Sequence, residues 1–216
     1  MGYIIACDFD GTVTSRDTIV SIIKQFAPTE GMPIVERILN KELSIKAGVT
    51  QLFALLDSSL QPAIIQYVKA SIELRPGFQT LLDEAKRLSI PFYIISGGMH
   101  FFIDPVLAQF KGIDGVYANE IDVSHEKMKV IWTHPCDEIC KQQACGTCKP
   151  SIVRTLGNHQ VVAIGDSITD IALANESDIL FSTDKLTNYA KEQQIEHYHF
   201  ETFYDIAKQL ESVVIH

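Results

Sequence analysis

The sequence predicts an α/β protein: a doubly wound parallel sheet with an inserted α-helical block and a small β-hairpin. Three observations lead there. From residue 75 onward, short apolar runs alternate with amphipathic stretches, as strands joined by helices do. Residues 15–74 carry helical periodicity and no strand pattern. Three apolar runs end in polar clusters: Asp8-Phe9-Asp10-Gly11-Thr12, Ser96-Gly97-Gly98 and Gly165-Asp166-Ser167-Ile168-Thr169-Asp170. In a parallel sheet all strand carboxyl ends lie on one edge, so these clusters converge.

The first element is a buried strand over Tyr3 to Ala6. Ile19, Val20, Ile22, Ile23 and Phe26 then form the apolar stripe of a helix from Asp17, punctuated by Pro28 and Gly31-Met32-Pro33. Ser44 is placed to cap a helix carrying Ile45, Val49, Leu52, Phe53 and Leu56. Pro62 sits near the start of another, with Ile64, Ile65, Tyr67 and Val68. After Arg75-Pro76-Gly77 come a helix over Phe78 to Leu88 and a strand over Pro91 to Ile95 ending at Ser96. A helix near Phe101 to Phe110 and a short strand around Gly115 to Ala118 follow. Residues 119–133 alternate as a hairpin turning at Ser124 to Lys127. Beyond a cysteine-rich stretch, Pro150 opens a helix to Leu156, and Gln160 to Ile164 is a strand. A helix over Ile168 to Asn175, a strand over Ile179 to Phe181, and helices near Lys185 to Gln194 and Phe203 to Val213 complete the chain. The expected division is a core of residues 1–14 and 75–216, with residues 15–74 lying over the crevice as a helical cap domain.

With 216 residues, 46% of them hydrophobic, the chain has material for one substantial core. Its 27 acidic residues outnumber 18 basic ones, for a net charge of −9, which disfavours nucleic acid and anionic membranes as partners. A small phosphorylated molecule needs only a few local cations and stays open. No basic segment leads into a long apolar run, and no apolar stretch reaches the roughly 18 residues that span a bilayer. A cytoplasmic protein is expected.

The strand-end clusters carry chemistry. Asp8 and Asp10 are two residues apart and are expected on one face, where a divalent cation would reconcile them. Asp8 suits a carboxylate nucleophile forming an acyl phosphate. Asp10 suits a general acid that protonates the leaving oxygen and then activates water. Asp8, Asp166 and a backbone carbonyl near Asp10 are hard oxygen donors suited to Mg²⁺. Ser96, Gly97 and Thr12 offer hydroxyl and N–H groups to phosphate oxygens, and Lys149, just before a helix, supplies a point charge. His100, beside the glycines, either lines the site or begins the next helix.

Asp-Phe-Asp-Gly-Thr-Val, the strand-terminal Ser96, Lys149 and Gly-Asp-x-x-x-Asp occur in the order of the four motifs of the haloacid-dehalogenase-like phosphohydrolases, which the chain resembles over essentially its whole length. The long helical insertion and Ser-Gly-Gly are similar to the phosphoserine-phosphatase-like branch. The resemblance implies Asp8 as nucleophile, Asp10 as acid and base, and Asp8, Asp10 and Asp166 around Mg²⁺. Asp170 would orient a metal-bound water or Lys149. The stretch Ile94 to Phe102 and the cysteine-rich run into Cys148-Lys149-Pro150-Ser151 resemble a methionine-salvage member, which implies an enol phosphate bearing a methylthio group as substrate. Phosphoserine-specific members carry Glu where this chain has Asp17 and Ser where it has Gly11, so a zwitterionic substrate is the second reading. Asp17 is then a helix N-cap or a polar contact at the cleft mouth, with Arg16 beside it. Phe26, Met32 and Phe53 are apolar candidates to receive the methylthio group, or else cap core.

Cys136, Cys140, Cys145 and Cys148 supply enough thiolates for a tetrahedral structural Zn²⁺ that would brace the loop carrying Lys149. Their close spacing departs from ordinary zinc ribbons, and free loop thiols are the preferred reading. Three further alternatives stay open: a non-catalytic phosphate- or zinc-binding module, phosphoryl transfer to an acceptor other than water, and a homodimer.

Overall fold

A computed structural model describes residues 2–140 and 145–215. Its sheet is centred on β1 (Tyr3–Cys7). On one side lie β2 (Phe92–Met99), β3 (Gly115–Asp122) and the antiparallel β4 (Lys129–Ile131). On the other lie β5 (Gln160–Gly165), β6 (Ile179–Ser182) and β7 (Tyr198–His199), all parallel to β1. The order β4-β3-β2-β1-β5-β6-β7 puts a change in winding direction at β1, where open α/β sheets form their crevice.

Among the described residues, the connection from β1 to β2 opens with four helices: α1 (Thr18–Phe26), α2 (Pro28–Leu39), α3 (Ile45–Phe53) and α4 (Gln61–Ser71). Six follow: α5 (Phe78–Arg87), α6 (His100–Leu107), α7 (Lys149–Thr155), α8 (Ile171–Ala174), α9 (Asp184–Glu192) and α10 (Phe203–Ile215). β1 reads as a continuous apolar run because both of its faces are covered. Ile5 and Cys7 belong to the layer holding Phe78 and Leu82 of α5 and Phe203 and Ile206 of α10. Ile4 and Ala6 point the other way, into a layer with Ile152 of α7, Leu173 of α8 and Leu186 of α9.

The helical block leaves and rejoins the sheet at adjoining points. Thr14 and Leu74 form an antiparallel bridge, flanked by Ser15 N–H to Glu73 O at 2.9 Å and Arg75 N–H to Val13 O at 2.9 Å. A second tie runs to the β3–β4 hairpin, where Ser58 N–H donates to Glu126 O at 2.8 Å and Lys127 pairs with Asp57 at 2.7 Å.

Several elements differ from their sequence patterns. α2 runs straight through Pro28, Gly31 and Pro33. Pro28 occupies the first turn, where its missing N–H costs nothing, and Pro33 forgoes one intrahelical bond. Gly31 marks a close crossing, since a Cβ there would lie 2.3 Å from Ile23 Cγ2. β2 continues through Ser96-Gly97-Gly98 to Met99, with its register against β3 shifting after Ile95. The hairpin's first strand is the continuation of β3 itself. The helix expected from Ile168 begins as a 3-10 turn over Ile168–Asp170, and β7 is a two-residue strand with no usable sequence pattern. Among the described residues no helix is long and apolar enough to cross a membrane.

Candidate active site

The site forms where β1, β2 and β5 end. Asp8 still holds sheet register, donating its N–H to Ile164 O at 2.9 Å. The chain then curls, and the N–H groups of Val13 and Thr14 return to Phe9 O at 2.9 and 3.0 Å. Gly11 makes this turn in the left-handed region, φ +81°, and a Cβ there would sit 2.4 Å from Asp166 Oδ2. Only glycine fits both demands. Arg75 pins the loop from outside, donating from Nε to Thr12 O at 3.0 Å and from Nη2 to Gly11 O at 2.9 Å.

Lys149 opens α7 with its side chain buried. Its Nζ stands 2.7 Å from Asp8 Oδ1 and 2.6 Å from Asp170 Oδ1. Burial works against its charge, but the Asp170 and Asp8 carboxylates outweigh burial and hold its pKa above the usual lysine value. The second oxygen of Asp170 accepts from the N–H groups of Asp166 and Ser167, both at 3.1 Å. Asp166 in turn accepts from Thr12 Oγ1 at 3.0 Å.

The carboxylates of Asp8, Asp166 and Asp170 present oxygens within 4.8 Å of one another. One lysine cannot neutralise three. Burial, then the Asp170 charge, raises Asp8 well above the carboxylate range, and the same causes raise Asp166 to about 7. A donor set of hard, crowded, under-neutralised oxygens suits a divalent cation such as Mg²⁺.

Asp10 lines the same cleft but stands outside that cluster. Its Oδ1 accepts from Thr18 N–H at 3.1 Å, at the head of α1. The strand has already ended at Asp10, so alternation no longer sets where its carboxylate lies. Burial, then the charge of Asp17, raises it to about 7. Asp17 caps α1, accepting from Val20 N–H at 2.9 Å, and is open to water at the cleft mouth.

Ser96 is fully buried, and its Oγ accepts from Gly98 N–H at 2.9 Å. Gly97 lines the cleft with open space where a Cβ would be. Asn119, unremarkable in the sequence, ties this strand end to the loop before Lys149, donating to Gly97 O at 3.1 Å and Thr147 Oγ1 at 2.6 Å. His100 begins α6, its Nδ1 lies 3.0 Å from Asp104 Oδ1, and it is not among the residues lining the cleft. Cys136, Cys140 and Cys145 place their sulfurs within 4.8 Å of one another.

The cleft encloses about 1010 Å³. One wall is apolar, built from Val20 of α1, Val35, Ile38 and Leu39 of α2, and Ile45 and Val49 of α3. Arg16, Lys185 and Lys191 stand around the polar part. The aromatic and sulfur candidates are elsewhere. Phe53 is fully buried against Phe101, Phe26 stands edge-on to Tyr67, and Met32 packs into the helical core. Helical periodicity finds the buried stripe of a helix but not which part of it borders a cavity.

The sequence model of the haloacid dehalogenase-like hydrolases matches residues 5–175. A 2-hydroxy-3-keto-5-methylthiopentenyl-1-phosphate phosphatase of Bacillus pumilus is 41% identical over 212 residues, covering 97% of this chain and 91% of its own. The phosphatase of that name from Bacillus thuringiensis subsp. konkukian is 43% identical, covering 97% and 96%. Among solved structures, a substrate-bound phosphoserine phosphatase superposes with a TM-score of 0.74 at 20% identity, over 96% of this chain and 98% of that one. A phospho-aspartyl intermediate analogue of phosphoserine phosphatase gives 0.72 at 19% identity, over 98% of each. At those identities the likeness is one of fold.

Proposed function

The chain belongs to the haloacid dehalogenase-like hydrolases, and from that premise we propose that it is a phosphomonoester hydrolase working through an aspartyl phosphate on Asp8. The observation that carries this reading is the buried Asp8–Lys149–Asp170 array beside Asp166, on the floor of a cleft that Asp10 also lines. An Asp8 oxygen attacks phosphorus, and the ester P–O bond breaks as Asp10 gives its proton to the departing oxygen. Water, giving its proton back to Asp10, then attacks the acyl phosphate, releasing inorganic phosphate and restoring Asp8. A group raised to about 7 is suited to both transfers. Lys149 holds Asp8 in place and offsets charge, while Asp170 holds Lys149.

Asp8 and Asp166, with a backbone carbonyl near Asp10, would hold Mg²⁺. Bound there, the cation would shield the phosphate's charge from the incoming carboxylate. The Ser96 hydroxyl and the Gly97 N–H are the phosphate-side donors, while the Thr12 hydroxyl, expected beside them, is spent on holding Asp166. Residues 15–74 act as the cap that selects the substrate. A structural metal at the four cysteines would serve this chemistry indirectly, by bracing the loop that ends at Lys149.

For the substrate we propose 2-hydroxy-3-keto-5-methylthiopentenyl-1-phosphate, the compound in the names of relatives above 40% identity. The apolar wall of α1, α2 and α3 supports it, because a methylthio tail gains from apolar contact and a zwitterion does not. With Mg²⁺ present, the protein is expected to turn over this enol phosphate well ahead of phosphoserine. A preference for phosphoserine would overturn the substrate. Asp8→Asn is expected to end turnover while sparing the fold, seen as an unchanged circular dichroism spectrum, and retained activity would overturn the mechanism.

A further inference from the structure

We propose that Cys136, Cys140, Cys145 and Cys148 form a tetrathiolate site for one thiophilic divalent cation, zinc above all, which locks the loop delivering Lys149. The three sulfurs of Cys136, Cys140 and Cys145 lie mutually within 4.8 Å, and Cys148, the fourth ligand, ends the same loop three residues after Cys145. Cys140 Sγ and Cys145 Sγ are 3.9 Å apart. Zinc–sulfur bonds of about 2.3 Å set tetrahedral ligand sulfurs about 3.8 Å apart, so this pair already stands at the separation a zinc tetrahedron requires. A disulfide needs about 2.05 Å.

The surrounding backbone is built to hold this arrangement. Cys140 N–H donates to the Asp137 side chain at 3.0 Å, and Arg154 grips that carboxylate at 2.8 Å. Cys145 and Cys148 end a Cys-Gly-Thr-Cys turn whose Gly146 adopts φ +76° against the Trp132 ring. Cys148 N–H donates to His134 O at 3.0 Å, and Ser151 Oγ donates to Cys148 O at 2.8 Å. Between the turn's cysteines, Thr147 holds Asn119, which in turn holds Gly97. A divalent cation bound among the cysteines is what would hold this group as thiolates. On loading, four thiols release four protons and the site carries two negative charges. Lys149 follows Cys148 directly, so fixing the turn fixes the start of α7.

This site shares no ligand with the carboxylate cluster, which makes its test independent of the hydrolase reading. Protein purified under reducing conditions and loaded with Zn²⁺ is expected to retain one zinc per chain through gel filtration, by mass spectrometry of the metal. The double variant Cys136→Ser/Cys140→Ser is expected to lose it, and Asp166→Asn to keep it. Because serine variants can misfold, wild-type protein loaded with Co²⁺ provides a second measurement. Tetrahedral cobalt bands with thiolate-to-cobalt charge transfer are expected. Absence of those bands, zinc retained by the double variant, less than one zinc per two chains after loading, or disulfides in place of four free thiols after reduction would each overturn the proposal.

Discussion

Replacing Lys149 with Met keeps the length of the side chain and removes its charge, and the structure sets the expected cost. The lysine and both carboxylate partners are nearly sealed from water, with side-chain exposures of 3% for Lys149, 5% for Asp8 and 4% for Asp170. Breaking a buried pair by removing one partner costs about 3–5 kcal/mol, because the remaining charge is left without compensation. Asp170 keeps two backbone N–H donors and Asp8 keeps that of Phe9 at 2.8 Å, which argues for the lower end, about 3 kcal/mol. For a chain of this size that lowers the melting temperature by roughly 6–12 °C. The cost also depends on pH. Without the lysine, Asp8 rises further above its unfolded value, so the native state binds more protons than the unfolded state from about pH 4 up to that raised value. Stability then falls as pH rises, by up to about 1.4 kcal/mol per pH unit for each extra proton. Melting wild type and Lys149→Met with a chelator present, at about pH 5.5 and about pH 8, checks both parts. A deficit of under about 2 °C, or one no larger at the higher pH, would refute the account of this lysine as the neutraliser of a buried carboxylate cluster.

Three further outcomes follow from the site and its frame. Leu39 lies on the apolar cleft wall and is 58% exposed, so Leu39→Ser should leave the fold and aryl-phosphate turnover intact. For a methylthio-bearing substrate it should raise KM roughly five- to thirtyfold, the loss of about 1–2 kcal/mol of apolar contact, and an unchanged KM would move the tail elsewhere. Gly11→Ala puts a side chain at φ +81° and against Asp166, costing about 1–2 kcal/mol of backbone strain, and should raise the Mg²⁺ concentration for half-maximal activity about tenfold. Asp205 reaches back from the first turn of α10 to Thr202 N–H at 2.8 Å, and these hydrogen bonds hold its pKa below the usual value. Its contribution is present above its unfolded pKa and is lost as pH falls through the depressed folded value. Asp205→Ala should therefore cost about 1 kcal/mol in denaturant melts at neutral pH and much less near pH 2.

Elements defined by local pattern were readable in advance, and those defined by neighbours were not. The Ser44 cap, Pro62 in the first turn of α4, and the alternation of strands and helices after residue 75 all follow from backbone chemistry within a few residues. The break expected at Gly31 and Pro33 did not occur, because the packing of α2 on α1 overrides local propensity and needs that glycine. Among the candidate site residues, Asp8, Lys149 and Asp166 were legible as acids and a cation at strand and helix ends that share one edge of the sheet, and Asp170 through the resemblance of Gly-Asp-x-x-x-Asp to the family motif. Arg75 and Asn119 were missed, since an arginine that binds backbone carbonyls and a buried asparagine that joins two loops have no spacing to give them away.

By itself, then, the sequence determined the parallel sheet, the insertion after its first strand and the residue types needed for phosphoryl chemistry, since periodicity and functional groups are properties of the chain. Which carboxylates share one cluster, which aliphatic side chains face the cleft, and that three of the four clustered cysteines meet were decided only in three dimensions. Asp10 turns away to α1, the apolar wall is Val35, Ile38 and Leu39 with no aromatic, and the thiols converge across a loop closed by Asn119 and Arg154. The physical reason is common to all three. An apolar or polar side chain looks the same in sequence whether it meets core, cavity or ligand, and only the packing of one element on another settles which.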